Sequence, residues 1–191
     1  MEQIQKLRQE TGAGVMDVKN ALTEAGGDEE KAREILRKKG AALAAKKGAR
    51  ETHEGLVVSY IHAGGKIGVL LKLYCETDFV ARTEDFRALS DDLAMHIAAM
   101  DPEYVSAENI PEDVIETEKR IYKEQFADSD KPKDVIEKII DGKVQKFANE
   151  VCLLGQSFVK NPDKKIEGII QEYIAKLGEN IQVGGFVRYE L

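Results

Sequence analysis

The residues best suited to a chemical or binding role form one short stretch, Cys75-Glu76-Thr77-Asp78-Phe79-Val80-Ala81-Arg82. It follows the most hydrophobic run of the chain, residues 67–73, which predicts a buried strand. The polar residues of the stretch are therefore expected where that strand ends, at the edge of a sheet. Phe79 is then either the last aromatic residue of the core, which is the commoner place for such a side chain, or a residue that contacts a partner.

The chain contains none of the motifs of common catalytic or cofactor sites. It has no Gly-x-Ser-x-Gly, no Cys-x-x-Cys and no His-Glu-x-x-His. The run Gly64-Gly65-Lys66-Ile67-Gly68 lacks the longer glycine-spaced nest of a phosphate-binding loop, and no Ser or Thr follows its lysine. We therefore expect a binding protein and not an enzyme, with no cofactor, no metal and no direct binding of nucleotide.

Composition and charge are those of an ordinary globular protein. A chain of 191 residues allows one sizeable core, or a small module beside a larger one, and the formal net charge is −7. No apolar run approaches the roughly 20 residues needed to cross a bilayer, and the acidic, amphipathic first residues do not predict a signal peptide. Cys75 and Cys152 are too few to make a disulfide framework. These features favour the cytoplasm and predict no membrane partner.

The first 40 residues predict three short helices, because apolar residues recur there at helical spacing in three segments. The segments are separated by Thr11-Gly12-Ala13-Gly14 and by Gly26-Gly27-Asp28. Asp28 is expected to cap the third helix and Gly40 to end it. So few residues make a thin core, and such a unit typically binds something through one face.

Residues 31–50 carry eight basic residues against one acid, a local charge of +7 that leaves −14 on the rest of the chain. A basic stripe in an acidic protein is able to contact RNA or a negatively charged partner. However, no aromatic residue interleaves it, so base stacking is unsupported. The alanines at 41, 42, 44 and 45 indicate a helical or frayed linker, and a solvated linker is the favoured interpretation.

From Gly55 onward the pattern changes to strands at 56–61 and 67–74, joined by a five-residue hairpin loop whose glycines permit positive φ. A last strand at 183–189 is able to pair with this hairpin. A short apolar strand is also expected around Cys152. Together these segments predict a small antiparallel sheet.

Helices are predicted between these strands. The helix at 86–100 has one apolar face with His96 beside it, and we interpret His96 as a histidine with satisfied hydrogen bonds at the core edge. Residues 111–126 and 132–149 predict two helices joined by a turn at 127–131, with Pro132 in the first helical position. Each is polar over more than half of its surface, so the pair is expected to project like a short antiparallel coiled coil. A last helix ends at Gly178.

Several motifs, in the same order along the whole chain, resemble the elongation factor Ts family. Arg8, Thr11-Gly12-Ala13-Gly14-Val15-Met16-Asp17 and Lys19 resemble its N-terminal ubiquitin-associated-like module, and Thr77-Asp78-Phe79-Val80 resembles its signature. Tyr60-Ile61-His62 and the run 153–159 are similar to the family as well. The fold class expected is α+β: a three-helix ubiquitin-associated-like module at 1–40, a basic linker at 41–54, and an α+β core at 55–191. That core holds a small antiparallel sheet and a projecting helical hairpin at about 111–149.

The resemblance implies a function. Members of this family are guanine-nucleotide exchange factors for the GTPase elongation factor Tu in translation elongation; they bind its GDP-bound and nucleotide-free forms and promote GDP release by displacing Mg²⁺. The residues implied to contact the GTPase are Thr77, Asp78, Phe79 and Val80, then Arg8, Val15, Met16 and Lys19 of the N-terminal module, and His62 of the hairpin loop.

Alternatives remain open on the residues alone. Val15 and Met16 are equally well explained as residues at a helix start that lie half in the core. His62 is most simply a solvated loop histidine. Longer members of the family carry two related core halves and this chain has length for one, so a homodimer is expected to supply the second. A different function, an RNA- or ribosome-associated adaptor, would use residues 31–50.

Overall fold

The computed structural model describes residues 2–126, 129 and 131–191. Among these residues it contains eight α-helices and a small antiparallel sheet, so the α+β prediction is confirmed. The helices are α1 Glu2–Thr11, α2 Val15–Glu24, α3 Glu29–Lys47, α4 Asp78–Ala81, α5 Glu84–Met100, α6 Glu112–Glu124, α7 Lys133–Val151 and α8 Ile166–Leu177. The strands are β1 Glu54–Ile61, β2 Ile67–Cys75, β3 Ser157–Phe158, β4 Asn161–Lys165 and β5 Ile181–Glu190.

The chain forms two compact units. One runs up to Ala98 and includes Glu167–Leu191, and the other is Ala99–Ile166. In the part of the chain described, no helix has both the length and the apolar character that a membrane span requires.

Three helices open the first unit, as the glycine breaks predict. They pack through a thin cluster of buried residues that includes Leu7, Val18 and Ala32. Asp28 caps α3 by accepting hydrogen bonds from the N–H groups of Glu30 and Lys31, as expected. The prediction that Gly40 ends this helix is wrong. The alanine-rich run beyond it has high helix propensity, and α3 continues to Lys47.

The sheet of the first unit has the order β1-β2-β5, with both neighbours antiparallel to β2. The hairpin loop has positive φ at Gly64 and Gly65, and β5 pairs with β2, both as predicted. On one face of β2, Val69, Leu71, Leu73 and Cys75 are almost completely buried, while Leu70 between them is half exposed. Further core residues of this unit come from α5 and α8: Phe86, Leu89, Leu93, Ile97, Ile169, Ile170 and Ile174. His96 is fully buried, deeper than the core edge expected for it.

The second unit contains the predicted helical pair, α6 and α7, which contact each other. Ile140 is buried, whereas Ile121 and Val135, two other apolar residues of these helices, are about 40% exposed. Pro132 precedes α7 as its N-cap residue instead of filling the first helical position. Of the turn predicted at 127–131, residues 127, 128 and 130 lie outside the described residues.

The prediction of a strand around Cys152 is wrong. The N–H of Cys152 donates to the carbonyl oxygen of Ala148 at 3.0 Å, so this residue closes α7. A single 3-10 turn, Leu153–Gly155, follows. One isolated parallel bridge joins Cys152 to Tyr104. A two-stranded sheet of β3 and β4, which the sequence did not predict, comes next. Cys152 is only 2% exposed.

Candidate partner-binding site at the Phe79 helix

The stretch that follows β2 forms the short helix α4. Thr77 is its N-cap, with extended backbone, and its hydroxyl oxygen accepts a hydrogen bond from the N–H of Val80 at 3.4 Å. The helix is only four residues long, and Ala81 at its end is buried. Residues two positions apart on an α-helix point in nearly opposite directions. With Ala81 turned inward, Phe79 is directed outward.

Phe79 is the candidate contact residue of this helix. Its exposed fraction is 79%, although it is a large apolar side chain. The alternative that it fills the core is therefore wrong. Three residues before the start of α4, Cys75 is completely buried, and its thiol donates to the carbonyl oxygen of Thr77 at 3.2 Å. The end of the strand is thus anchored in the core while the helix displays an aromatic ring.

Asp78 opens α4 and lies beside Phe79. Its carboxylate is 2.7 Å from the guanidinium of Arg82, one turn further along, and both side chains are well exposed. A carboxylate in the first turn is also favoured by the helix dipole. The helix therefore presents a ring, a carboxylate and a guanidinium to solvent, an arrangement suited to a mixed polar and apolar contact.

The turn between α8 and β5 holds the base of α4. Glu179 accepts hydrogen bonds from the N–H groups of Glu76 and Thr77 at 3.1 and 3.0 Å, and from the Thr77 hydroxyl at 2.6 Å. In return, the carboxylate of Glu76 accepts the N–H of Asn180 at 2.6 Å. That hydrogen bond, helped by Arg50 nearby, lowers the pKa of the Glu76 carboxyl. Sequence reasoning missed Glu179 and Asn180, because they are more than 100 residues away in the chain.

The N-terminal candidates lie on the first two helices. Val15 and Met16 begin α2, where Val15 is 47% exposed, close to the half-buried alternative, and Met16 is 63% exposed. The buried apolar residue of this turn is Val18, which lies three residues after Val15 and two after Met16. Arg8 on α1 and Lys19 on α2 are exposed. Apolar and basic side chains of the first two helices are therefore both exposed.

His62 lies at the opposite end of the hairpin from α4. Its ring nitrogen Nδ1 is 3.0 Å from the hydroxyl of Tyr60, and the side chain is exposed. The whole of β2 lies between the hairpin loop that carries His62 and α4. This strand has nine residues and is about 30 Å long. The structure thus does not bring His62 and Phe79 into one site.

The basic stretch is largely engaged within the chain. Arg33 pairs with Glu10, Glu29 and Glu30, and Lys39 pairs with Glu24. Three further residues of the stretch also pair with carboxylates: Lys31 with Asp28, Lys38 with Glu34 and Arg50 with Glu76. Lys47 donates to the carbonyl oxygen of Gly178. Six of the eight basic side chains therefore have an acceptor in the chain itself.

The outer face of the sheet carries an exposed apolar surface. The strand register aligns Ile61 with Gly68 and Tyr189, and Leu70 with Val187. These side chains and that of Val57 share one face, and their exposed fractions are between 45% and 74%. An apolar face of this kind on a sheet is typical of a contact surface. We call the set Val57, Ile61, Leu70, Val187 and Tyr189 the outer sheet face.

Groups able to perform metal or thiol chemistry are not assembled in the described part of the chain. No cluster of three or more His, Cys, Asp or Glu side chains that would hold a metal ion occurs there. Both cysteines are free and buried. Burial, with the Glu179 carboxylate nearby, raises the pKa of the Cys75 thiol to about 11.

Comparison with known proteins gives one consistent result. The family model described as "Elongation factor TS" matches residues 2–191. A protein named Elongation factor Ts from Fervidobacterium nodosum is 60% identical over 190 residues, covering 100% of this chain and 96% of the relative. The protein of that name from Thermosipho melanesiensis is 56% identical over 186 residues, 97% of this chain and 95% of its own length. That from Geobacter metallireducens is 56% identical over 189 residues, 99% of this chain and 88% of its own length.

The match extends over the N-terminal helices, the hairpin, the Phe79 helix and the last strand, the same regions on which the sequence resemblance rests. The chain belongs to the elongation factor Ts family.

Proposed function

We propose that this protein is a guanine-nucleotide exchange factor for the GTPase elongation factor Tu. The observation that carries the proposal is the 79% exposure of Phe79 on a helix fixed at its base, in a member of this family. An aromatic side chain of this size is normally buried. Its display on a short helix supports a role in contacting a partner.

The proposed mechanism is negative coupling between two ligands of the GTPase. The exchange factor binds tightly to the form that holds nucleotide weakly, so each ligand lowers the affinity of the other. Elongation factor Tu holds GDP with Mg²⁺, an ion that demands nearly ideal octahedral geometry. A displacement of its ligands on the order of 1 Å is enough to weaken it. The exchange factor then needs no catalytic base, nucleotide or metal of its own.

Particular residues would produce that displacement. Phe79 inserts into an apolar slot of the GTPase near the Mg²⁺ site, and Asp78 lies beside it with Thr77 and Val80 completing the contact. Val15 and Met16, with Arg8 and Lys19 around them, bind the nucleotide-binding domain as a second contact. His62, at the far end of the hairpin, makes a separate contact.

The domain organisation that goes with this role is a ubiquitin-associated-like module at 1–40, a basic linker at 41–54 and a core at 55–191. Since α3 runs to Lys47, the first half of that linker is helical. The cytoplasm, where translation elongation takes place, is the compartment that the role requires.

We also propose a homodimer formed through the outer sheet face. A two-fold pair is the commonest closed assembly, and it buries the same surface on both copies. The five apolar side chains lie across the face of the sheet and not along one edge. The face, rather than the edge that a small sheet first suggests, is therefore the contact proposed.

The alternative of an RNA-associated adaptor gains no support from the basic stretch. Six of its eight basic side chains already contact acceptors within the chain. Binding to phosphates through them would require exchange of these contacts.

The test is release of a fluorescent GDP analogue from elongation factor Tu. Catalytic amounts of the protein should accelerate the fluorescence decay, and the protein alone should bind no GDP. Release that remains unchanged at a large excess of the protein would exclude the exchange role. Nanomolar binding to RNA in its place would favour the adaptor.

A further inference from the structure

The hydroxyl of Thr77 is shared between two partners. It donates its single hydrogen to Oε1 of Glu179 at 2.6 Å and accepts the N–H of Val80 at 3.4 Å. Because a hydroxyl has one hydrogen and two lone pairs, giving that hydrogen to Glu179 leaves a lone pair for Val80. The carboxylate therefore decides the orientation in which Thr77 caps α4.

The other oxygen of the same carboxylate holds the backbone. Glu179 Oε2 accepts the N–H of Thr77 at 3.0 Å and that of Glu76 at 3.1 Å. Hydrogen bonds to an ionised acceptor are about twice as strong as those between neutral groups. One side chain thus fixes both the main chain at the start of the helix and the cap itself.

The turn that carries Glu179 is itself held in place. Gly178 ends α8 with φ +78, a value that L side chains rarely adopt. Asn180 is 1% exposed and donates through its side chain to the carbonyl oxygens of Gly48 and Arg50. Glu179 lies between these two fixed residues, so its carboxylate is presented to Thr77 from a rigid support.

A helix of four residues has no stability of its own, since nucleation is costly and few hydrogen bonds repay it. The direction of α4, and with it that of Phe79, must therefore come from contacts with other segments, which include β1, β2 and the residues at its start. At its first turn these contacts are the Thr77 cap and the hydrogen bonds to Glu179.

We infer that Glu179 is a positioning residue for nucleotide exchange, acting through Thr77 to hold the Phe79 helix in the orientation that its partner requires. This inference rests on the proposed exchange function. Glu179 itself need not touch the GTPase. A change at Glu179 is expected to alter the rate at which the bound complex releases GDP. A misdirected Phe79 ring would still reach the GTPase, but it would displace the ligands of the Mg²⁺ ion poorly.

The test compares Glu179→Gln with Glu190→Gln, which removes the same charge from the other end of β5, where Glu190 pairs with Arg188. The maximal rate of GDP release at saturating exchange factor should fall about tenfold in Glu179→Gln, the size expected for one lost hydrogen bond to a charged group. Glu190→Gln should stay within about twofold of the unchanged protein.

A double-mutant cycle separates positioning from general stability. In a Phe79→Ala background, Glu179→Gln should lower release by less than about twofold more, since the side chain it positions is gone. An equal loss in both backgrounds would overturn the inference, because Glu179 would then act independently of Phe79.

Amide hydrogen exchange of the free protein supplies a readout that does not depend on activity. The Val80 amide should exchange about tenfold faster in Glu179→Gln, while the amides of Leu89 and Leu93 in α5 keep their protection. An unchanged Val80 amide, or equal acceleration of all three, overturns the inference. If the unchanged protein fails to accelerate GDP release from elongation factor Tu, the proposed function fails, and the Val80 amide still decides whether Glu179 fixes the cap.

Discussion

Cys75 and Phe79 lie four residues apart, yet the first is completely buried and the second is 79% exposed. Between them Thr77 changes the direction of the chain from strand to helix, with its carbonyl oxygen bound by the Cys75 thiol and its hydroxyl by Glu179. The buried cysteine and the carboxylate hold the base, so the aromatic ring is displayed on a fixed support.

Truncation of that ring should separate function from stability. Phe79→Ala should strongly reduce GDP release from elongation factor Tu but change the free energy of unfolding by no more than about 0.5 kcal/mol, as at other exposed positions. Phe86→Ala is the matched control, since Phe86 is fully buried and its loss should cost about 3–5 kcal/mol. Chemical denaturation measures both. A large loss of stability in Phe79→Ala, with normal exchange by the folded fraction, would contradict the proposed role.

Neutralising the basic stretch should have a modest effect. Replacement of Lys38, Lys39 and Lys46 by glutamine should change mainly the association rate with the GTPase, as expected for charges at the rim of an interface. Lys47 is replaced separately, because it holds the carbonyl oxygen of Gly178 next to Glu179. Stopped-flow binding at two salt concentrations measures the rate. Loss of tight RNA binding in the triple variant would instead indicate the adaptor.

A charge on the outer sheet face should dissociate the dimer. Light scattering of the unchanged protein should give twice the chain mass of 21.2 kDa. Leu70→Glu should give the single mass, because burying an unpaired carboxylate at an interface is costly. Ile121→Glu, at a similarly exposed apolar residue on α6, should leave the mass doubled. A mass of 21.2 kDa for the unchanged protein at tens of micromolar, with full exchange activity, would exclude the dimer.

Both thiols should be unreactive in the folded protein. The thiolate is the reactive form, and burial raises the pKa of Cys152 and carries that of Cys75 to about 11. Reaction with a disulfide reagent at mildly alkaline pH should therefore proceed at the rate of unfolding, and at once in denaturant. Fast labelling of either cysteine in the native state would contradict this assignment.

Acid should remove the contribution of Glu76 to stability. The Asn180 N–H and Arg50 lower the pKa of this carboxyl in the folded state. Its contribution is therefore fully present above the unfolded pKa, about 4.3, and is lost as pH falls through the lower folded value. The difference in unfolding free energy between the unchanged protein and Glu76→Gln should be constant near neutrality and shrink in acid. Urea titrations across that range measure it, and a difference independent of pH would contradict the prediction.

Features set by neighbouring residues could be read from the sequence. Two apolar runs joined by a five-residue loop predicted the β1–β2 hairpin, the glycines of that loop predicted the positive φ at Gly64 and Gly65, and Asp28 predicted the start of α3. Each prediction depends on residues within a short segment of the chain. The motifs around Thr77 also indicated the family, since a motif is a local pattern.

Local patterns failed where competing conformations are close in free energy. Gly40 costs an α-helix little enough for the alanines after it to continue α3, and the short apolar run at Cys152 is compatible with strand or turn. In both places neighbouring segments decide between the conformations.

Only the tertiary structure decided which side chains face solvent and which contact distant segments of the chain. It exposed Phe79, paired the basic stretch with carboxylates of three helices, and placed Glu179 against Thr77 from 102 residues away. The physical reason is that such contacts depend on how distant segments pack, and neither residue of a pair carries a local sign of the other. Sequence determined most of the long helices, the β1–β2 hairpin and the family of this protein. Packing determined where α3 ends, how the chain runs after Cys152 and the direction in which the aromatic ring points.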